Sequence, residues 1–182
     1  KIDLKYTFQE RVDREDSHYG YIGAGRPFAQ DWYEYFQYRV TVEDSEVAGH
    51  QAYEYLTWTP RRDFRCGALG AISWREDDQN SGYVKGFATR SFWNESTSLR
   101  AEVLHYQNNS DYYYQEYKLY GYRRIGPRAL LRLGYRFYTD NSDFYSHAPG
   151  IKLKYYFSPC FSAHLGYMYY DHSEGTDFQS FL

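Results

Sequence analysis

No stretch of these 182 residues is apolar for long enough to cross a membrane as a helix. Mean hydropathy is −0.83, and no run approaches the ~20 consecutive apolar residues that a spanning helix requires. Methionine occurs once, proline five times and cysteine twice. Cys66 and Cys160 allow one bridge at most, and their spacing does not say whether it forms. There is no basic tail, low-complexity tract or metal-spaced Cys/His cluster, so neither a nucleic-acid partner nor a cofactor or metal is expected. Aromatic residues, by contrast, make up 22% of the chain, and 24 of them are tyrosine, far beyond what a soluble core needs. The length fits one domain spanning 1–182. Lys1 opens directly on an alternating segment, as expected of a mature chain without a leader.

Low hydropathy would suggest a soluble protein, but a β-barrel strand alternates lipid-facing with interior-facing residues and averages out to polar. Period-two alternation is the dominant signal. Ile2, Leu4, Tyr6 and Phe8 oppose Asp3, Lys5 and Thr7. Ala129, Leu131, Leu133, Tyr135 and Phe137 oppose Leu130, Arg132, Gly134 and Arg136. The segments 151–157 and 161–169 repeat the pattern. A helix over 96–105, capped by Ser96 or Ser98, is the alternative there, and its flanks favour a strand.

The connectors are of two kinds. Polar, acidic segments lie at 13–18, 43–50, 76–82, 107–111, 139–149 and 171–177. Tighter segments lie at 26–31, 59–63, 94–97, 123–128 and 158–160, several with proline. Alternating long and short connections describe an antiparallel up-and-down transmembrane β-barrel of about 12 strands, all-β, with loops at one end and turns at the other. A soluble antiparallel barrel or sandwich shares the alternation but explains neither the connectors nor the aromatic weight. Tyr19, Tyr21, Tyr33, Tyr35, Tyr112, Tyr113, Tyr114, Tyr138, Tyr145, Tyr169 and Tyr170 sit near strand ends, where interfacial girdles are expected.

If the apolar faces meet lipid, the opposite faces line the interior. That set contains Lys5, Gln9, Arg11, Arg39, Arg65, Arg75, Lys85, Arg100, Lys118, Arg132, Arg136, Lys152, Lys154 and His164, with Glu102 and Glu116 as the acids. A charge on the lipid side would cost about 2–4 kcal/mol at midplane. An excess of bases inside a pore favours anions, and arginine grips carboxylates in a bidentate manner. Arg–Glu and Lys–Glu networks that merely satisfy buried groups are the plainer role for any single base.

The segments Ile2-Asp3-Leu4-Lys5-Tyr6, Gly82-Tyr83-Val84-Lys85-Gly86 and Leu133-Gly134-Tyr135-Arg136-Phe137-Tyr138 carry a resemblance. In the order of these features the chain resembles the KdgM family of small monomeric outer-membrane porins, which take up acidic oligosaccharides. The resemblance is one of pattern, without a diagnostic motif. It implies a twelve-stranded barrel with basic tracks, to which Arg132, Arg136, Lys85, Arg100 and Lys152 would belong. Two departures are the end at Leu182, before a full closing strand, and the two cysteines.

The expected function is a channel, not an enzyme, that passes small anionic solutes through a basic lumen. It would act as a monomer in the bacterial outer membrane, in contact with lipid and lipopolysaccharide, with loops outside and turns in the periplasm. Two alternatives remain open: a polysaccharide-export barrel of a larger secretion protein, and an outer-membrane lipid hydrolase. For a hydrolase the candidates are Ser146-His147 and His172-Ser173, but adjacent strand residues point to opposite faces. The acidic segments could also bind divalent cations or serve as a receptor surface.

Overall fold

The computed structural model describes residues 2–9, 17–43, 46–75, 80–158, 160–173 and 178–181, with side chains over 19–42, 48–75, 80–158 and 160–173. Twelve strands follow one another in a single antiparallel sheet, and each is paired with its neighbours in sequence. They are β1 (Ile2–Gln9), β2 (Ser17–Ala29), β3 (Trp32–Glu43), β4 (Glu46–Arg61), β5 (Phe64–Arg75) and β6 (Ser81–Phe92). After these come β7 (Thr97–Asn108), β8 (Tyr113–Ile125), β9 (Ala129–Asp140), β10 (Tyr145–Tyr156), β11 (Ser162–His172) and β12 (Phe178–Phe181). The 96–105 stretch is therefore strand, as its flanks require. Among the described residues, β1 and β12 do not pair with each other.

Among the described residues the sheet has no second layer. Strands touch only their neighbours in the meander, and the buried apolar residues number three, Ala71, Phe87 and Ala148, among those described. A soluble sandwich buries one face of each sheet against the other, so that alternative fails here. Cα partners in an antiparallel ladder point to the same side. The register therefore carries one face across the molecule, as in Leu133 with Ile151 and Gly121, and Gly121 with Leu99.

That face holds the apolar residues, and they are exposed: Val84 is 61%, Leu133 53% and Leu165 70% accessible. The opposite face carries the charges and is the more enclosed one, with the Glu102 and Glu116 side chains only 9% and 8% accessible. A polar inside and an apolar outside are what a bilayer solvent demands. From His50 to Trp58 on β4 the outward band covers ~26 Å of strand at ~3.3 Å per residue. Three carboxylates on described strand residues share the outward face, with Asp171 at the loop end opposite His147. Glu34 pairs with Arg26 at 3.4 Å, whereas Glu54 faces outward between its partners Phe36 and Gly70 with no partner for its charge among the described residues.

At the turn end, tryptophan and phenylalanine ring the outward face. Phe28, Trp32, Trp58 and Phe64 touch in succession with centroids 5.9, 5.8 and 6.4 Å apart. Phe92–Trp93 and Phe157–Phe161 continue the girdle at 6.2 and 5.2 Å. The β8–β9 turn is closed by Gly126 at φ 63°, a left-handed conformation that glycine adopts without Cβ strain.

Two expectations need correction. The tyrosines assigned to girdles are mostly inward. Only Tyr113, Tyr145 and Tyr169 share the apolar face, while Tyr19, Tyr21, Tyr33, Tyr35, Tyr114, Tyr138 and Tyr170 share the face of the bases. Position near a strand end was visible, but parity decides the face, and these tyrosines have the parity of their strand's polar residues. Loop length is the second correction. The acidic connections 109–112 and 141–144 are four residues each, no longer than the turn at 93–96. Strand β9 runs on to Asp140 and β10 already starts at Tyr145, so much of 139–149 is sheet. The segments 13–16, 44–45, 76–79 and 174–177 lie outside the described residues.

Candidate functional site

The inward face gathers Lys5 and Gln9 by backbone register, and Arg39, Arg65, Arg75, Lys85, Arg100, Lys118, Arg132, Arg136, Lys152, Lys154 and His164 by register and side chain. Arg11 lies outside the described residues. The face is not uniform.

On β6–β9 four of the bases, Lys85, Arg100, Lys118 and Arg136, are spoken for. Glu102 receives Lys85 at 2.8 Å and Arg100 at 2.5 Å, and Glu116 receives Lys118 and Arg136. Lys118 is the Cα partner of both Glu102 and Arg136, so the two ion-pair groups adjoin. Rings complete this wall. The Arg100 guanidinium lies 4.6 Å from the Phe87 ring centre, within cation–π range. Phe87 stacks on Tyr55 at 6.0 Å with planes 9° apart, and the Tyr55 hydroxyl accepts from Arg65 at 3.0 Å.

On β9–β11 the bases meet rings and small residues. The Arg132 guanidinium is 5.3 Å from the Tyr120 ring centre, and the Lys154 amine is 4.7 Å from that of Tyr156. Lys152 is the Cα partner of Arg132, and His164 that of Lys154. None of these four bases pairs with a carboxylate among the described residues. Beside them is a pocket of about 160 Å3 lined by Lys118, Tyr120, Arg132, Arg136, Lys152 and Tyr170, over the glycine pair Gly134 and Gly150. That volume is room for about five waters. A Cβ on Gly134 would lie 3.0 Å from the Tyr120 ring, so glycine keeps this pocket open.

On β2 and β3, Arg39 lies 3.9 Å from the Tyr19 ring centre. Cys66 and Cys160 are both free thiols. The Ser–His pairs do not assemble. Ser146 is buried on the inward face while His147 points outward against Tyr135, and the Ser173 hydroxyl accepts from the Tyr145 amide at 3.0 Å.

Among solved structures, the chain is similar to a bacterial polysaccharide outer membrane secretin. The likeness covers 98% of this chain and 74% of that one, at 8% identity and a TM-score of 0.67. The fold is that of an outer-membrane β-barrel. It also resembles a KdgM porin over 98% of this chain and 94% of that one, at 9% identity and a TM-score of 0.49. A KdgM porin in complex with disordered oligogalacturonate matches over 86% of this chain and 85% of that one, at 10% identity and a TM-score of 0.48. At such identities the likeness is one of barrel architecture and transfers no residue. No family model matches the sequence, and no curated protein is significantly similar to it.

Proposed function

We propose that the chain is an outer-membrane channel that passes small anionic solutes, acidic oligosaccharides among them, along the inward face of β9–β11. The observation that carries this reading is the group Arg132, Lys152, Lys154 and His164, which face inward without a carboxylate partner among the described residues. Bases already neutralised by Glu102 and Glu116 contribute little field, whereas uncompensated ones raise the local concentration of anions. A planar-bilayer recording across a salt gradient tests it: the reversal potential should have the sign of anion preference. Cation preference, or no conductance from folded, heat-modifiable protein, would sink the reading.

The likeness to the polysaccharide secretin favours a second reading, an export barrel for an anionic polymer, that uses the same face in the opposite direction. In either case we place the acidic loop end outside the cell and the turn end, with Arg61, Arg62, Arg123, Arg124 and Arg128, in the periplasm. Among the described turns, Arg62 is 90% accessible and meets Glu95 at 2.7 Å. A cysteine placed at Asn80 should react with an impermeant thiol reagent on intact cells, in a background without Cys66 and Cys160, and one at Arg62 should not. The reverse labelling would invert the topology.

A further inference from the structure

The tyrosines that turned inward do more than fill space. At the loop end of the inward face, Tyr106 stacks on its register partner Tyr114 with centroids 4.9 Å apart and planes at 20°. Tyr114 meets Tyr138 at 5.1 Å, Tyr138 meets Phe144 at 5.9 Å, Phe144 stacks on His172 at 5.6 Å, and His172 stacks on Tyr170 at 6.0 Å. The rings form one unbroken arc from β7 to β11. The Tyr138 hydroxyl is held by that of Tyr112 at 2.6 Å, which fixes its ring. We propose that this arc is a carbohydrate-binding collar, on which the pyranose rings of an acidic glycan stack as the glycan enters or leaves the basic interior. The proposal deepens the channel reading and rests on it for the sign of the ligand's charge.

All of the arc's rings are half-buried, and no strand other than their neighbours approaches them. They line a wall, with no second layer to cover them among the described residues. The face of an aromatic ring is electron-rich and attracts the slightly positive C–H bonds that a pyranose presents on its flat side. The hydroxyls of Tyr106 and Tyr114 have no partner among the described residues and can meet those of a sugar. Below the collar come the bases. Arg136 follows Tyr138 on the same face of β9, and Tyr170 belongs both to the arc and to the pocket lined by Arg132 and Lys152. A simple inorganic anion would have no use for the rings, nor a neutral sugar for the bases. A glycan with carboxylates fits both.

The test is titration calorimetry of detergent-folded protein with a uronate hexasaccharide, alongside bilayer recordings of chloride conductance. The double substitution Tyr106→Ser, Tyr114→Ser should weaken binding about tenfold, as expected for two stacking contacts of ~0.5–1.5 kcal/mol each, and leave the chloride reversal potential unchanged. Tyr106→Phe with Tyr114→Phe should keep the affinity within about twofold, because the rings remain. Phe144→Ala lies between strands and spares folding; it should cost about fivefold. Wild-type affinity in the serine and alanine variants overturns the collar. So does equal loss in the phenylalanine variant, which would make the contact a hydroxyl bond, and so does a neutral glucan of the same length binding as tightly. If the variants lose binding while no channel conducts anions, the collar stands and the channel reading falls.

Discussion

The walls β6–β9 and β9–β11 share one inward face and one residue chemistry, yet they differ in what is left over. On the first, Glu102 and Glu116 each hold two bases at ion-pair distance. On the second, Arg132, Lys152, Lys154 and His164 face small residues and rings such as Gly134, Gly150, Tyr120 and Tyr156. Every one of these bases has inward parity, so counting them treats them as equals. The comparison teaches that a charge matters to a passing solute only after its neighbours have been subtracted. Arg136 and Arg132 are four residues apart on β9, and one is committed to Glu116 while the other is not.

The largest expected effect breaks the first wall. Glu116→Leu leaves Lys118 and Arg136, with side chains 24% and 38% accessible, without their shared counter-charge. A fully buried pair broken in this way costs about 3–5 kcal/mol. Here the bases can reach water in the interior, so about 2 kcal/mol is expected in urea unfolding of the lipid-reconstituted barrel. Adding Arg136→Met should recover about half of it. If the two losses simply add, the ion pair is not coupled and the distinction between the walls collapses.

Selectivity sharpens the comparison at smaller magnitude. Arg132→Ser with Lys152→Ser removes two uncompensated charges and should lower the anion-to-cation permeability ratio by about fivefold or more, since one unit charge at ~4 Å in water is worth ~1 kcal/mol. Lys85→Ser with Glu102→Ser removes no net charge and should leave the ratio within about twofold. Equal effects from both pairs would show that a base paired to a carboxylate counts as much as an unpaired one, and the distinction between the walls would fail. Smallest of all is Lys152→Met, which should move the unfolding midpoint by no more than ~0.5 kcal/mol, because no carboxylate among the described residues loses a partner. A larger loss would mean that Lys152 is structural and belongs with the first wall.

The fold was legible because period two is a property of each strand alone. Ile151, Leu153 and Tyr155 opposite Lys152 and Lys154 announce both an apolar and a polar face, and the interior bases follow from parity. Boundaries were harder. Pro149 sits in the middle of β10, opposite Tyr135 of β9. Proline lacks the donor that a ladder needs, and pairing to β11 is interrupted over 148–149. Such a residue reads as loop, although β9 holds the strand from the other side.

By itself, then, the sequence determined the alternation along each strand, because that depends on neighbours two residues apart, and its connectors pointed to a meander. Only tertiary structure decided which residues of the inward face meet. Glu102 reaches Lys85 because β6 and β7 pair in one register, and Tyr114 finds Tyr106 and Tyr138 through two interstrand registers. A one-residue slip would move every side chain to the other face. That register joins residues tens of positions apart, and no local pattern encodes it. The division of the interior into a neutralised wall and a basic one is therefore a property of the assembled sheet.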